Sequence, residues 1–405
     1  MLTINIDKCT GCGACVQRCP QKCITWESGE FGFRYPKIYT AQCIQCNLCE
    51  KVCPVDMDRT APTNQKVYAA VHKNPDVLIR STSGGVFTAI ADAVFVLGGV
   101  VYGVTMQRDM QVQHIRIESK DELGRLRGSK YVQSDTEYTF QQAESDLKNG
   151  RTVLYSGTPC QIDGLKRFLG KEYDNLYTVD IVCHGVGSQA YFDKYMDFAR
   201  KRYGDIQELR FRSKEFTGWS CGGGVVVSTP VGDNTPKKIP YRDFDNYYYA
   251  YFLSGDIYRK SCYTCQYANT NRPGDFTLGD YWGVEALRLP LDTAGGCSLL
   301  IINTARAESL LRSIQSLQLV ETTMEQATYC NGQLKAPSKR SSKRDCLVAE
   351  FEDKNGDQMQ KLYFSQNTKN VVKGIVKAMV PYRLKLLVRS KRKRPKECEC
   401  NNENR

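Results

Sequence analysis

At 405 residues the chain exceeds a single compact domain of usual size, and its 41 % hydrophobic and 25 % charged residues are ordinary for a globular protein. Nineteen cysteines in a chain this long argue against a small disulfide-stapled scaffold, and three histidines argue against zinc sites that borrow imidazole. Of the 56 Lys and Arg, twelve lie in residues 361–396 with no acid among them; the other 44 balance 44 Asp and Glu, so the net +12 belongs to the C-terminal end.

Met1–Lys8 carries no charged start followed by an apolar stretch, so no secretory leader is expected. Residues 1–60 are cysteine-dense. Cys9-x2-Cys12-x2-Cys15-x3-Cys19-Pro20 recurs as Cys43-x2-Cys46-x2-Cys49-x3-Cys53-Pro54. Three closely spaced thiolates wrap one face of a cubane cluster, and the fourth must come from elsewhere. In two-cluster ferredoxins the last cysteine of each run serves the other cluster. Cys9, Cys12, Cys15 and Cys53 are therefore expected to hold one 4Fe–4S cluster, and Cys43, Cys46, Cys49 and Cys19 the second. Gly11, Gly13 and Ala14 let backbone amides approach the sulfurs, and Pro20 and Pro54 redirect the chain. Zinc knuckles or metal-free thiols compete with this reading, but two matching runs that each end Cys-Pro weigh against both. Cys23 fits neither set and reads as a packed thiol. A module of this kind moves electrons.

Thr60–Gln65 reads as a linker. Beyond it, strands are expected at Val67–Val71, Val100–Met106, Thr152–Ser156, Leu176–Cys183, Gly224–Ser228, Phe276–Leu278 and Ser298–Asn303. Helices are expected at Gly84–Leu97, Thr136–Lys148, Cys160–Leu169, Gln189–Lys201 and Ala305–Ser316. Strands alternating with helices imply an α/β (α+β) body behind the ferredoxin module. The expected units are 1–60, 66–345 and a basic C-terminal tail, 346–405. The most apolar long run, Thr88–Val104, contains Asp92 and Gly98-Gly99 and is too short to cross a bilayer.

Four further cysteines sit in turn-like contexts. Cys160 (SGTPCQ) follows a strand and opens a helix, whose dipole favours a thiolate. Cys183 (IVCHG) ends an apolar strand, and strand ends of one parallel sheet share an edge. The Cys262-x2-Cys265 pair, brought alongside, would complete four ligands. Competing readings are a nucleophilic Cys160 beside His184, a redox-active Cys262/Cys265 pair, and buried small hydrophobes.

Ser81-Thr82-Ser83-Gly84-Gly85, Arg127-Gly128-Ser129-Lys130-Tyr131, Gly157-Thr158-Pro159-Cys160-Gln161, Cys183-His184-Gly185, Cys262-x2-Cys265 and Gly279-Asp280-Tyr281-Trp282-Gly283 follow one another between about residues 66 and 335. In that order they resemble the coenzyme F420 hydrogenase/dehydrogenase beta-subunit family, in its form with a fused two-cluster ferredoxin. The resemblance implies a flavoprotein, usually with FAD, and a third 4Fe–4S cluster, here assigned to Cys160, Cys183, Cys262 and Cys265. It implies a ferredoxin- and FAD-dependent oxidoreductase acting on a small molecule, F420-like or linked to cell-surface polysaccharide synthesis. Its redox partner would be a ferredoxin or a dehydrogenase/hydrogenase subunit. The alternative is an electron-transfer subunit of a larger complex, without a substrate pocket of its own.

No glycine pattern of the dinucleotide-binding type occurs. Ser81, Thr82 and Ser83 supply hydroxyls, and Gly84 and Gly85 open a helix N-terminus; this suits an anion, although a plain helix cap explains it too. Arg127, Ser129, Lys130 and Tyr131 offer two cations and hydroxyls to a diphosphate, or form a solvated loop. Asp280 and Trp282 close a strand, where the indole covers a ring system or fills the core. His184 is the candidate for a hydrogen bond to flavin or substrate.

At the C-terminal end, Val372, Ile375, Val376, Met379 and Val380 alternate with Lys373 and Lys377 at helical spacing until Pro381, and Arg389–Lys396 is a cationic cluster. A peripheral contact with anionic lipid, a docking surface for an acidic electron donor and a terminal helix packed on the body are the readings weighed. No nucleic-acid partner is expected, because no recognition motif accompanies the charge. The expected location is cytoplasmic, with or without that membrane contact. Cys398 and Cys400 have no assigned role.

Overall fold

The computed structural model describes residues 5–57, 61–62, 64–232 and 234–379. Val380, Pro381, the Arg389–Lys396 cluster, Cys398 and Cys400 lie outside the described residues. So do Thr60 and Thr63 of the linker.

Thirteen strands are described: β1 Ile24–Ser28, β2 Arg34–Ile38, β3 Lys66–His72, β4 Val100–Met106, β5 Val112–Ile117, β6 Val153–Gly157, β7 Leu176–Ile181, β8 Asp205–Arg210, β9 Gly223–Thr229, β10 Lys237–Arg242, β11 Phe276–Asp280, β12 Ser298–Ile302 and β13 Leu317–Thr322. Eight form one sheet in the order β13-β3-β12-β11-β7-β6-β4-β5. Its centre, β11-β7-β6-β4, is parallel, and the outer pairings are antiparallel. Parallel strands joined by helical crossovers are covered on both faces and need apolar residues on both. Every residue of β12, which pairs antiparallel with β11 and β3, is buried as well. Val101, Leu154 and Val179 pack on one face with the helices Val86–Val96 and Ala305–Ser313. Their neighbours Val100, Tyr102, Val153 and Tyr155 pack on the other with Thr139–Lys148 and Pro159–Leu169, as the two-residue side-chain period requires.

A second sheet, β8-β9-β10, is antiparallel. It adjoins an aromatic core built from Tyr191, Phe192 and Tyr195 of the helix Gln189–Tyr203 and from Tyr247, Tyr248, Tyr249 and Tyr251 of the helix Tyr247–Leu253. The antiparallel β1–β2 pair of the cysteine-rich module enters the same core. Phe31, held at positive φ, is 1 % exposed, packs on Tyr191 and Phe351, and its carbonyl accepts a hydrogen bond from Ser188 Oγ.

The expected strands and helices of the body are present, with ends moved by a few residues. β5, β8, β10 and β13 are additions. The expected boundary at 345/346 falls within the helix Arg344–Asp353. The next helix, Gly356–Met379, breaks from helical geometry at Asn367. Leu347, Met359, Tyr363 and Val371 from these two helices are buried in the aromatic core, whereas Val372, Ile375 and Val376 are exposed. Among the described residues no helix is long and apolar enough to cross a membrane.

Candidate functional site

β6, β7 and β11 run parallel, so the chain leaves all three at one edge of the sheet. After β6, Thr158 caps the helix Pro159–Leu169 in a reciprocal arrangement with Gln161, which places Cys160 in the first turn. Cys183 lies two residues beyond β7, and Asp280 is the last residue of β11. The 3₁₀ helix Lys260–Thr264 carries Cys262, and Cys265 terminates it.

These four cysteines share one buried environment. Burial, and then repulsion from Cys265, pushes the Cys160 thiol up to about 11; burial, Cys265 and Cys160 push Cys262 up to about 12. Cys183 is raised well above its ordinary value by burial, then by Cys262, Cys160 and Cys265. Four thiols that oppose one another's ionisation in a low-dielectric setting would ionise more readily beside positive charge. A ligand set of cysteines alone fits a 4Fe–4S cluster better than it fits zinc with imidazole.

Cys12 is pushed up to about 12 by burial, with repulsion from Cys160, Cys9 and Cys53. Cys15 is raised by burial and by Cys12, Cys9, Cys53 and, from the second run, Cys49. Cys9, Cys12, Cys15 and Cys53 thus act on one another's ionisation, and Cys12 is also acted on by Cys160. The helix Pro159–Leu169 comes so close that a Cβ on Gly164 would stand 2.9 Å from Cys12 Sγ. Cys19, Cys43, Cys46 and Cys49 line a separate small crevice, where Cys46 is exposed. Cys23 is a buried thiol as expected, but it packs against this set, 3.4 Å from Cys19 Sγ. Burial, Cys19 and Cys43 push it up to about 11.

A cavity of about 1760 Å³ opens beside the inner cysteines. Ser81, Thr82, Ser83, Gly85, Arg127, Ser129, Lys130, Tyr131, Asp280, Trp282 and His184 all border it, together with Cys160, Cys183, Cys262 and Cys265. Residues from six separate motifs therefore face one space.

Several of these groups are engaged by the protein itself. Ser81 Oγ donates to Val77 O (2.7 Å) and Ser83 Oγ to Cys297 O (2.7 Å), while Thr82 Oγ1 accepts the Ser129 amide (3.0 Å) and ties the two loops together. Gly84 presses on the sheet, where a Cβ would overlap the Ala70 carbonyl oxygen. Gly85, at φ +86°, opens the helix Val86–Val96. Lys130 Nζ donates to the carbonyls of Leu126 (3.0 Å) and Arg127 (2.8 Å), and burial pushes its ammonium down to about 7. Arg127 Nε reaches Thr88 Oγ1 at 3.1 Å. Tyr131 stacks on Tyr249 and is pushed up to about 12 by burial.

Asp280 accepts from Arg212 Nη1 (2.6 Å), Arg212 Nη2 (3.2 Å) and Trp219 Nε1 (2.6 Å). Burial alone would lower the Arg212 guanidinium; Asp280 outweighs it and holds it well above its ordinary value. Trp282 stacks on Trp219 with centroids 5.2 Å apart, and Arg212 lies over its ring. Burial pulls His184 down to about 4, so its imidazole is neutral near pH 7. Arg212 and Trp219 hold Asp280 and carry no spacing signal in the sequence. The need of a partly shielded Asp280, its side chain 14 % exposed, for a cation was the one available hint.

Residues 67–140 match the family model described as coenzyme F420 hydrogenase/dehydrogenase, beta subunit N-term, and residues 150–328 match the model for the C terminus of that same beta subunit. Residues 8–57 match a 4Fe-4S dicluster domain. Among curated proteins, NADH-quinone oxidoreductase subunit I 2 of Geobacter metallireducens is 44 % identical over 55 residues, 12 % of this chain and 41 % of that protein. An uncharacterized protein in the rpl9-rpl11 intergenic region of Porphyra purpurea is 35 % identical over 69 residues, 16 % of this chain and 92 % of its own length. The chain thus spans under half the length of the first of these relatives. A solved structure of the F420-reducing NiFe hydrogenase complex from Methanosarcina barkeri, a xenon derivative, aligns with TM-score 0.41 and 13 % identity over 77 % of this chain and 95 % of that chain.

Proposed function

The chain belongs to the coenzyme F420 hydrogenase/dehydrogenase beta subunit family, behind a 4Fe-4S dicluster domain, and from that premise we propose an iron–sulfur oxidoreductase that passes electrons between ferredoxin-type clusters and a small substrate held at FAD. The observation that carries the proposal is the single cavity bordered both by the four inner cysteines and by the Ser81–Gly85, Arg127–Tyr131 and Asp280–Trp282 segments. Three cysteine sets follow one another from the exposed Cys46 to the cavity wall, which supports a relay of three clusters.

When bound, four-iron clusters supply single-electron transfer, and a flavin supplies the exchange of single electrons for a pair. The residues of the chain would hold and shield them. Cys9, Cys12, Cys15 and Cys53, then Cys43, Cys46, Cys49 and Cys19, then Cys160, Cys183, Cys262 and Cys265 are the proposed ligands. Gly85 and the free amides that follow it favour an anionic group such as a diphosphate, with Arg127 as the nearby cation. Lys130 serves the loop more than the ligand, because its ammonium is engaged by carbonyls. His184, neutral, keeps a proton on one ring nitrogen and offers the other as acceptor to a substrate. An F420-like deazaflavin or an intermediate of cell-surface polysaccharide synthesis is the proposed substrate class, and a ferredoxin or dehydrogenase subunit the proposed partner.

Anaerobic purification with iron, acid-labile sulfide and flavin counted per chain tests the reading. About twelve irons with one flavin is the expected result for three cubane clusters. About eight irons without flavin would remove both the inner cluster and the flavoenzyme.

A further inference from the structure

Arg259, only 1 % exposed, lies between two of the cysteine sets. Its Nε donates to Cys9 O (2.7 Å), Nη1 to Gln133 Oε1 (3.1 Å) and Nη2 to Arg34 O (2.9 Å), with Cys9 Sγ 3.7 Å from Nη2. The ring centroids of Tyr35 and Phe33 lie 4.2 and 5.4 Å from its guanidinium carbon. None of these acceptors is a carboxylate. A buried cation is costly unless negative charge faces it, and the sulfurs are the negative groups at hand.

The same residue is tied to the inner set. Its amide donates to Val186 O (3.1 Å), and its carbonyl accepts the Cys262 amide (2.9 Å). Access to the first set depends on Gly11, at φ +67°, where a Cβ would stand 2.8 Å from Arg259 Nη1. None of its hydrogen bonds goes to Cys19, Cys43, Cys46 or Cys49.

We infer that Arg259 is a positioning residue that supplies one positive charge to both the Cys9/Cys12/Cys15/Cys53 set and the Cys160/Cys183/Cys262/Cys265 set, raising the reduction potentials of the clusters they hold. The inference rests on the three-cluster reading. Reduction adds one negative charge to a cluster, and a fixed cation in a water-poor site favours the reduced form. The Cys19/Cys43/Cys46/Cys49 set, to which the Arg259 side chain makes no hydrogen bond, serves as an internal reference.

The test is an EPR-monitored redox titration, with dithionite as reductant, of the full chain purified anaerobically as wild type, Arg259→Gln, Arg259→Lys and Gln133→Glu, each with iron counted. In Arg259→Gln two clusters should titrate at lower potential, their reduced-to-oxidised ratio falling at least about tenfold, ~59 mV for one electron. The third cluster should stay in place. Arg259→Lys should recover most of the shift. Gln133→Glu, which sets a carboxylate against the guanidinium, should move the same two clusters in the same direction, and it decides the matter if Arg259→Gln loses iron. Potentials that stay put at full iron content, or three clusters that move alike, overturn the inference. A wild type with about eight irons overturns the three-cluster reading and this inference with it.

Discussion

Replacing Asp280 with asparagine removes one charge and almost no volume. The carboxylate takes three donors, two from Arg212 and one from Trp219. The amide can accept with one atom only and leaves the guanidinium without its opposite charge. Losing one charge-assisted hydrogen bond would cost roughly 1.5–3 kcal/mol. The stranded cation matters more: the Arg212 side chain is 5 % exposed, donates to Ser220 O at 2.9 Å and lies 5.5 Å from the Trp282 ring centroid, so it cannot swing into water. Removing one partner of such a buried pair costs about 3–5 kcal/mol. Asp280→Asn should therefore shift urea unfolding by at least about 3 kcal/mol and, on the proposed function, release flavin. Denaturant titration followed by tryptophan fluorescence reads this, because Trp219 and Trp282 stack beside the substitution. The double variant Asp280→Asn/Arg212→Met should regain most of the loss, since no charge is then left unpaired. A single variant within about 0.5 kcal/mol of wild type would refute the reasoning.

Gly84→Ala should destabilise the chain by about 1–3 kcal/mol or more in thermal unfolding, because the new methyl meets the Ala70 carbonyl rather than a side chain that can turn away. Phe31→Ala should cost about 3–5 kcal/mol and expose the cysteine-rich module to limited proteolysis, since its ring is fully buried in the aromatic core of the body. Lys130 and Lys214 are both pushed down to about 7 by burial. Between there and their ordinary value of 10.5 the unfolded chain binds more protons, so their contribution to stability should rise with pH from about 7 to 10.5 and level off below 7. Urea midpoints at pH 6, 7.5 and 9 check this, and Lys130→Met should flatten the dependence. A slope of the opposite sign would contradict the burial of both lysines.

The body strands were legible where apolar residues run unbroken, as in Val100–Met106 and Ser298–Ile302, because strands buried on both faces write that pattern. The added strands β8, β10 and β13 have several exposed positions and carry Glu, Lys, Gln or Arg, so their hydrophobic signal is broken. Helix Tyr247–Leu253, almost all aromatic, lacks an amphipathic period because its tyrosines are buried around most of its circumference. Hydroxyls read from sequence as open to a ligand proved to be engaged locally, Ser81 with Val77 and Ser83 with Cys297. Which partner a serine chooses depends on which carbonyl the fold brings within reach.

By itself, the sequence marked residues 8–57 as a 4Fe-4S dicluster domain and proposed its two cysteine sets. Cluster ligation is a local spacing problem solved within a few residues, and a duplicated run leaves few alternatives. It also determined that Cys160 and Cys183 leave strands, and hence that one sheet edge would carry them. Only the tertiary structure decided that Cys262 and Cys265 join them, from a segment far later in the chain, and that Cys160 acts on Cys12. That meeting depends on strand order β11-β7-β6-β4, on Arg259 bonding both to Cys9 and to the backbone beside Cys262, and on Gly164 admitting Cys12. Long-range packing of buried surface sets all three, and no short-range pattern in the chain encodes it.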